Sequence, residues 1–313
     1  MRAATIRDEV LSVQQYPDPL PGPGEVLVKV HAAGLNGADI LQRRGLYPPP
    51  PGTANPDIPG MELAGVVAES GPDATRFRPG DRVMGIVASG GQAEYAVVNE
   101  QILMPVPEPL QWISAGGVPE VFTTAHDAIF TQAGLRSGER LLVHGAAGGV
   151  GCAAVQLGHA AGAEVTATVR NPDHRAAVAE FGATVIAPEG FAAHGPFDVI
   201  LELVGAPNMP ENLDALATGG RIVVIGIGAG AKAETNLALL MHRRARIYAS
   251  TLRPRSIDEK AQTARAVERD VLPLLESGAV TVPIAATYPL ERVVDAYDRF
   301  AAGGKLGKII LTF

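Results

Sequence analysis

Apolar and polar positions change their rhythm once along this chain, and the change divides it. Up to about residue 117, short apolar runs alternate with polar positions between glycine- and proline-rich turns. Glu25–His31, Glu62–Ala68, Asp81–Val87 and Glu94–Val98 carry the alternation of half-buried strands. Turns such as Arg78-Pro-Gly-Asp81 separate them, a spacing that suits a small β-barrel with its internal edges paired. Pro48–Pro51 cannot be helical and reads as an extended loop beside Tyr47.

From about residue 118 strands alternate with helices. Arg140-Leu-Leu-Val-His passes into the glycine-dense stretch Gly145–Gly151, after which Val150, Ala154, Leu157 and Ala161 recur at helical spacing. Val165–Val169, Asp198–Leu203, Arg221–Ile225 and Ile247–Thr251 follow as strands, and this alternation predicts a parallel, doubly wound sheet. Ser256-Ile-Asp-Glu259 has the form of a capping box opening a long helix that ends near Gly278, with Pro273 kinking its last turns. Leu290–Ala302 predicts another helix, stopped by Gly303-Gly304, and Lys308–Thr312 a final strand. That closing part resembles the first region more than the middle. The expected organisation is a domain formed by 1–117 and 256–313, with a sheet domain of 118–255 inserted into it.

Composition narrows the class. A chain of 313 residues, 47% hydrophobic and 19% charged, has ample core for two domains. A net charge of −7 argues against general binding to nucleic acid or acidic membranes. The N-terminus lacks the apolar core of a signal peptide and no run approaches a membrane span, so a cytoplasmic location is expected. Cys152 is the single cysteine, which excludes an internal disulfide and a thiolate-rich zinc site and suits a small packing residue. His31, His126, His144, His159, His194 and His242 show no ligand spacing and are expected to be packing or surface residues, with His144 before Gly145 at a strand end that could touch the cofactor region. The same holds for the basic cluster Arg243-Arg-Ala-Arg246 and for Arg253-Pro-Arg255, where solvation is the favoured reading.

The candidate chemistry centres on strand, glycine turn and helix. Gly148 and Gly151 fit the last two glycines of a G-x-G-x-x-G dinucleotide fingerprint, with Ala146 where the first would stand. Glycines let the backbone approach a pyrophosphate while free N–H groups at the helix start face its charge, so Gly148, Gly149 and Val150 are candidate contacts. The next strand runs into Arg170 where an NAD site usually has Asp or Glu. A carboxylate repels a 2′-phosphate; a guanidinium pairs with it. Such a charge-assisted bond is worth about 1.5–3 kcal/mol, which favours NADPH. Gly205, Gly226 and Gly228 follow later strand ends, where dinucleotide sites lie in open parallel sheets.

Several motifs then carry a resemblance. They are Gly34-Leu-Asn-Gly-Ala-Asp39, Gln42-Arg-Arg-Gly-Leu-Tyr47, Pro59-Gly-Met-Glu-Leu-Ala-Gly65, Gly90-Gly-Gln-Ala-Glu-Tyr95, Gly145–Gly151 and Gly307-Lys-Ile-Ile310. In that order they resemble the zinc-independent, zeta-crystallin-like quinone oxidoreductases of the medium-chain dehydrogenase/reductase family. Gln92-Ala-Glu-Tyr, Leu103-Met-Pro and Thr251-Leu-Arg are similar to the tumour-suppressor-inducible branch. The resemblance implies an α/β fold: a GroES-like β-barrel catalytic domain, with a Rossmann domain inserted before the C-terminal segment. It also implies that Asn36 stands at the catalytic cysteine position of the zinc-dependent members and Met61 at their histidine. No metal is then expected.

By the same resemblance, Tyr47 either donates a hydrogen bond to a developing oxyanion or packs against the nicotinamide, with Asn36 as its neighbour in the cleft. Thr124, Thr251, Leu252 and, more loosely, Lys308 correspond to residues near the cofactor. Asp39, Arg43 and Glu62 are expected to brace the cleft as a buried salt bridge. Many relatives have lysine at the position of His174, itself a candidate cofactor contact, and tyrosine after Ile186, which leaves Arg170 and Asn171 the main adenine-side contacts here. The expected function is NADPH-dependent reduction of a quinone or α,β-unsaturated carbonyl by a homodimer. An enone or enoyl-thioester reductase, or a weakly active NADPH-binding sensor, are the alternatives.

Overall fold

Alternation in the first region becomes a sheet with an aliphatic inner face. The computed structural model describes residues 1–313 and contains two units, Met1–Thr123 with Leu252–Phe313, and Thr124–Thr251. In the first, β1 (Arg2–Arg7) and β2 (Val10–Gln15) form an antiparallel hairpin that turns through Asp8 and Glu9, both at positive φ. The long strand β3 (Glu25–Gly34) buries Val26, Val28 and Val30 on alternate positions. It pairs antiparallel with β4 (Glu62–Ser70), which in turn pairs with β5 (Arg82–Ile86). β6 (Tyr95–Asn99) pairs with β3, and β7 (Leu103–Pro105) with β5. Leu63, Val67, Phe77, Val83, Val98 and Leu103 close over the same core.

The second unit is one parallel sheet. Its strands are β8 (Arg140–Val143), β9 (Glu164–Thr168), β10 (Ala183–Ile186), β11 (Phe197–Glu202), β12 (Leu216–Val224) and β13 (Arg246–Ala249), in spatial order β10-β9-β8-β11-β12-β13. Every pairing is parallel. The central strands are covered on both faces, so Leu141, Leu142, Val143, Val199, Ile200 and Leu201 form continuous buried runs without alternation. Phe197, Leu213, Leu216 and Ile222 pack beside Leu142 and Ile200. Each large apolar side chain so buried contributes about 1.5–3 kcal/mol. The helix Gly149–Ala160 returns the chain from β8 to β9. It lies so close to its turn that a Cβ on Gly151 would stand 2.6 Å from both Ala146 Cα and Gly145 O.

The chain then returns to the first unit. Ser256 Oγ accepts from Glu259 N at 3.3 Å and Glu259 Oε2 accepts from Ser256 N at 2.9 Å, the reciprocal capping box, and the helix Ile257–Asp270 follows. Pro273 does not kink this helix; it sits in the first turn of a separate short helix, Leu272–Glu276, where its missing N–H is tolerated. β14 (Ile284–Pro289), the helix Val293–Ala301 and β15 (Lys308–Thr312) complete the unit. β15 pairs parallel with β14 and antiparallel with the end of β3, giving a seven-stranded sheet. Tyr297 is fully buried on the helix, with Leu35, Ile309 and Leu311 around it. No helix is long and apolar enough to cross a membrane.

Gly151→Val is expected to destabilise the second unit by about 1–3 kcal/mol, because the backbone of Gly145 and Ala146 blocks the added carbons. Urea denaturation followed by circular dichroism checks this, and an unchanged midpoint would contradict it.

Candidate active site

A buried polar cluster lies where β3, β4 and β15 meet. Lys308, on β15, is only 2% exposed, and Glu62, which opens β4, is fully buried. The Lys308 ammonium donates to Glu62 Oε1 at 2.5 Å, to Asn36 Oδ1 at 2.6 Å and to Leu35 O at 3.0 Å. Asn36 Nδ2 donates to the same Glu62 oxygen at 2.8 Å, and Glu62 Oε2 accepts from Glu120 N at 2.9 Å. Gly34 has to be glycine here, because a Cβ would run into the Glu62 carboxylate. Removing one partner of a buried pair like this typically costs about 3–5 kcal/mol.

Asp39 stands beside the pair without joining it. Its carboxylate accepts from Asn36 N at 2.8 Å and Gly60 N at 3.2 Å, holding the helix Gly37–Arg43 against the turn before β4. Burial pushes its pKa up to about 6, against the pull of those N–H groups and of Lys308. The expected brace of Asp39, Arg43 and Glu62 is therefore corrected. Glu62 pairs with Lys308, and Arg43 reaches outward to Asp298 at 3.4 Å. Lys308 itself is a brace, since all three ammonium hydrogens have acceptors inside the unit.

Tyr47 is half-buried on the loop after that helix. Arg253 lies 4.9 Å from its ring centroid and donates to Tyr47 O at 3.0 Å, Gln42 Oε1 at 2.7 Å and Ala88 O at 2.8 Å. At 2% exposed, Arg253 is not the solvated residue expected from sequence. Met61 is buried at 4% exposed, next to Glu62.

The second unit offers a different kind of site. Gly148 caps the helix Gly149–Ala160 in an extended conformation, and no side chain makes a capping hydrogen bond to its first turn. The N–H groups of that turn have no acceptor within the helix, and a Cβ on Gly148 would already approach Gly145 O to 3.4 Å. Such a cradle of bare N–H groups suits a pyrophosphate. Cys152, one turn in, is buried and donates to Ala146 O at 3.3 Å. Arg170, just past β9, is exposed and makes no hydrogen bond or ion pair within the protein. Asn171 Oδ1 caps the short turn Pro172–His174 by accepting from Asp173 N at 3.1 Å, with His174 half-buried in that turn.

Gly205 follows β11 at a φ of 120°, and a Cβ there would meet Gly230 O at 2.6 Å. A Cβ on Gly226 would strike the Leu203 carbonyl, whereas Gly228 faces open space. Thr124 is buried in the helix Pro119–His126, Thr251 is exposed, and Leu252 is buried where the first unit resumes. His144, expected to be a packing or surface residue, is buried with both ring nitrogens hydrogen-bonded.

Family models match both units: "Alcohol dehydrogenase GroES-like domain" over residues 22–108 and "Zinc-binding dehydrogenase" over residues 149–269. The human quinone oxidoreductase is 32% identical over 305 residues, covering 94% of this chain and 90% of that protein. The chain belongs to the medium-chain dehydrogenase/reductase family. The mouse quinone oxidoreductase is 33% identical over 318 residues, covering 97% of this chain and 94% of its own. Among solved structures, the quinone oxidoreductase of Pseudomonas syringae pv. Tomato DC3000 superposes with a TM-score of 0.87 at 28% identity, covering 100% of this chain and 98% of that one.

As a medium-chain dehydrogenase/reductase this protein is an oxidoreductase that uses a nicotinamide cofactor on a small-molecule substrate. Nowhere in it do three or more His, Cys, Asp or Glu side chains gather as metal ligands. Sequence reasoning missed the roles of Lys308, Arg253 and His144. Lys308 and His144 stand at strand ends, where the sequence points to the cofactor region but not to these partners, and Arg253 lies in the loop after β13 with no local signal.

The Asp39 carboxyl has a folded-state pKa of about 6 against an ordinary 3.8, so its protonated form is the one the fold favours. The stability it contributes is full below 3.8 and is lost as pH rises through about 6. Urea denaturation across that range, compared with Asp39→Asn, is expected to show this decline in the wild type and a flatter profile in the variant. Parallel profiles would contradict it.

Proposed function

We propose that this protein is an NADPH-dependent, zinc-independent reductase of quinones and related α,β-unsaturated carbonyl compounds. The observation that carries the reading is Arg170. A guanidinium left exposed and unpaired at the end of β9, in place of a carboxylate, suits the extra phosphate of NADPH. In this reading the N–H groups of Gly149 and Val150 hold the pyrophosphate beside Gly148, whose own N–H donates to Gly145 O at 3.0 Å, and Arg170, Asn171 and His174 receive the 2′-phosphate. Gly205, Gly226 and Gly228 let the backbone come close. Thr124, Thr251 and Leu252 line the nicotinamide end.

Reduced nicotinamide supplies a hydride when bound. Tyr47, held by Arg253 over its ring, is the donor to the charge that develops on the acceptor oxygen. Asn36 acts through position rather than as a free donor, since its amide is engaged by Glu62 and Lys308. Zinc independence rests on the donor set. By the family resemblance, Asn36 and Met61 stand where zinc-dependent members have cysteine and histidine ligands, and the Lys308 ammonium donates to Asn36 Oδ1. Without a strong Lewis acid, the favoured acceptors are already electron-poor, and a quinone gains aromaticity on reduction. A homodimer joined along β13, the edge of the parallel sheet, is the assembly this reading expects.

Arg170→Glu is expected to weaken NADPH binding by about tenfold to a hundredfold while sparing NADH. Calorimetric titration with both nucleotides checks this, and equal wild-type affinity for the two would remove Arg170 from its role. Tyr47→Phe is expected to lower kcat toward 1,4-benzoquinone by about a hundredfold with NADPH affinity unchanged. An unaltered kcat would assign the ring to packing.

A further inference from the structure

We propose that Thr168, His144, Asn212 and Glu202 form a buried positioning chain that fixes the cofactor-facing loops of the second unit, with a neutral imidazole as its central link. The inference rests on the dinucleotide reading above and concerns residues that touch no cofactor themselves.

Glu202 ends β11 and is fully buried. Its Oε1 accepts from Val204 N at 2.6 Å, Gly205 N at 2.8 Å and Asn208 Nδ2 at 3.3 Å, and its Oε2 from Asn212 Nδ2 at 2.7 Å. Its backbone carbonyl accepts from Ile225 N and Gly226 N, both at 3.0 Å. A buried carboxylate is tolerated only when its lone pairs are filled; here they are filled by the loop that carries Gly205 and by Asn212. With its amide nitrogen turned to Glu202, Asn212 presents Oδ1 to His144 Nε2 at 2.8 Å. That oxygen can only accept, so the imidazole proton sits on Nε2. Nδ1 is then bare and accepts from Thr168 Oγ1 at 3.1 Å.

All the donors therefore point one way, from Thr168 through His144 and Asn212 to the carboxylate, and each polarises the next. The chain crosses β9, β8 and β11 in their spatial order and reaches the end of β12 through the Glu202 carbonyl. Those four strand ends carry the loops of Arg170, Gly148, Gly205 and Gly226. The Thr168 carbonyl also accepts from Ala146 N at 3.1 Å, which ties the glycine turn to the same point.

The imidazole has to stay neutral for this to work. A second ring proton on Nδ1 would reverse the bond to Thr168, forcing its hydroxyl to turn and accept, and would add a charge to the buried cluster. Burial, with the Phe191 ring edge-on at 4.6 Å, lowers the His144 pKa below 6.5, while Glu202 at 3.9 Å and Glu211 on the next helix pull it upward. Since the folded pKa is depressed, the stability held by neutral His144 is full above 6.5 and is lost as pH falls below it.

The test is NADPH titration by nucleotide fluorescence at neutral and mildly acidic pH. His144→Phe, His144→Gln and Glu202→Gln are compared with wild type, with folding checked by circular dichroism. His144→Phe, which removes the central link, and Glu202→Gln, which removes the charged acceptor at the end of the chain, are each expected to raise the NADPH Kd by about tenfold or more at neutral pH. His144→Gln, whose amide can still donate to Asn212, is expected to keep most of the affinity and to lose the acid sensitivity of the wild type. Wild-type Kd values in His144→Phe and Glu202→Gln, or an acid response retained in His144→Gln, would overturn the positioning chain alone. Wild-type protein that binds neither NADPH nor NADH would overturn the dinucleotide reading and the chain with it.

Discussion

A parallel sheet leaves all its strands on the same side, and that constraint organises the second unit. Because β8, β9, β11 and β12 run together, the turns after them share one edge. Ligands of open α/β sheets bind at that edge. Everything proposed for the cofactor follows from it. The glycine turn supplies bare N–H groups, the end of β9 supplies a free guanidinium, and the turns after β11 and β12 are closely apposed, since a Cβ on Gly226 would strike the Leu203 carbonyl. The buried runs of β8 and β11 keep this edge in register, and shifting either strand by a residue would break pairings on both its sides.

The first unit solves a different problem. Its functional face is built around the ion pair between Glu62 and Lys308, which by itself favours neither folding nor chemistry. Its effect is geometric. The pair fixes Asn36 at the end of β3, and through the Asn36 backbone and Asp39 it orients the helix that leads to Tyr47. Arg253 then grips the tyrosine from the returning chain, using only neutral acceptors and the ring face. The donor proposed for the reaction is thus held by cations that are themselves held.

The βαβ turn and its flanking strands were legible in the sequence because their signals are local: a run of apolar residues, a glycine cluster and helical spacing within a few turns. Arg170 was legible for the same reason, as a residue next to a strand end. The Glu62–Lys308 pair was not, because the partners lie 246 residues apart and nothing near either one marks the other. Arg253 looked solvated because it opens the polar, proline-containing stretch Arg253-Pro-Arg-Ser256, while its burial comes from Tyr47, Gln42 and Ala88, far away in the chain. β1 hid behind the adjacent buried Ala3 and Ala4, which break the alternation. β14 could have been found, since Ile284, Ala286 and Tyr288 alternate inward.

The central claim is that a phosphorylated dinucleotide settles on the shared strand-end edge of the second unit. Hydrogen-exchange mass spectrometry with and without NADPH tests it most directly. The account predicts slowed exchange in peptides covering residues 145–152, 168–174, 202–208 and 224–228, with β10 and the outer helices unchanged. Protection absent from those peptides, or spread evenly over the sheet, would contradict it.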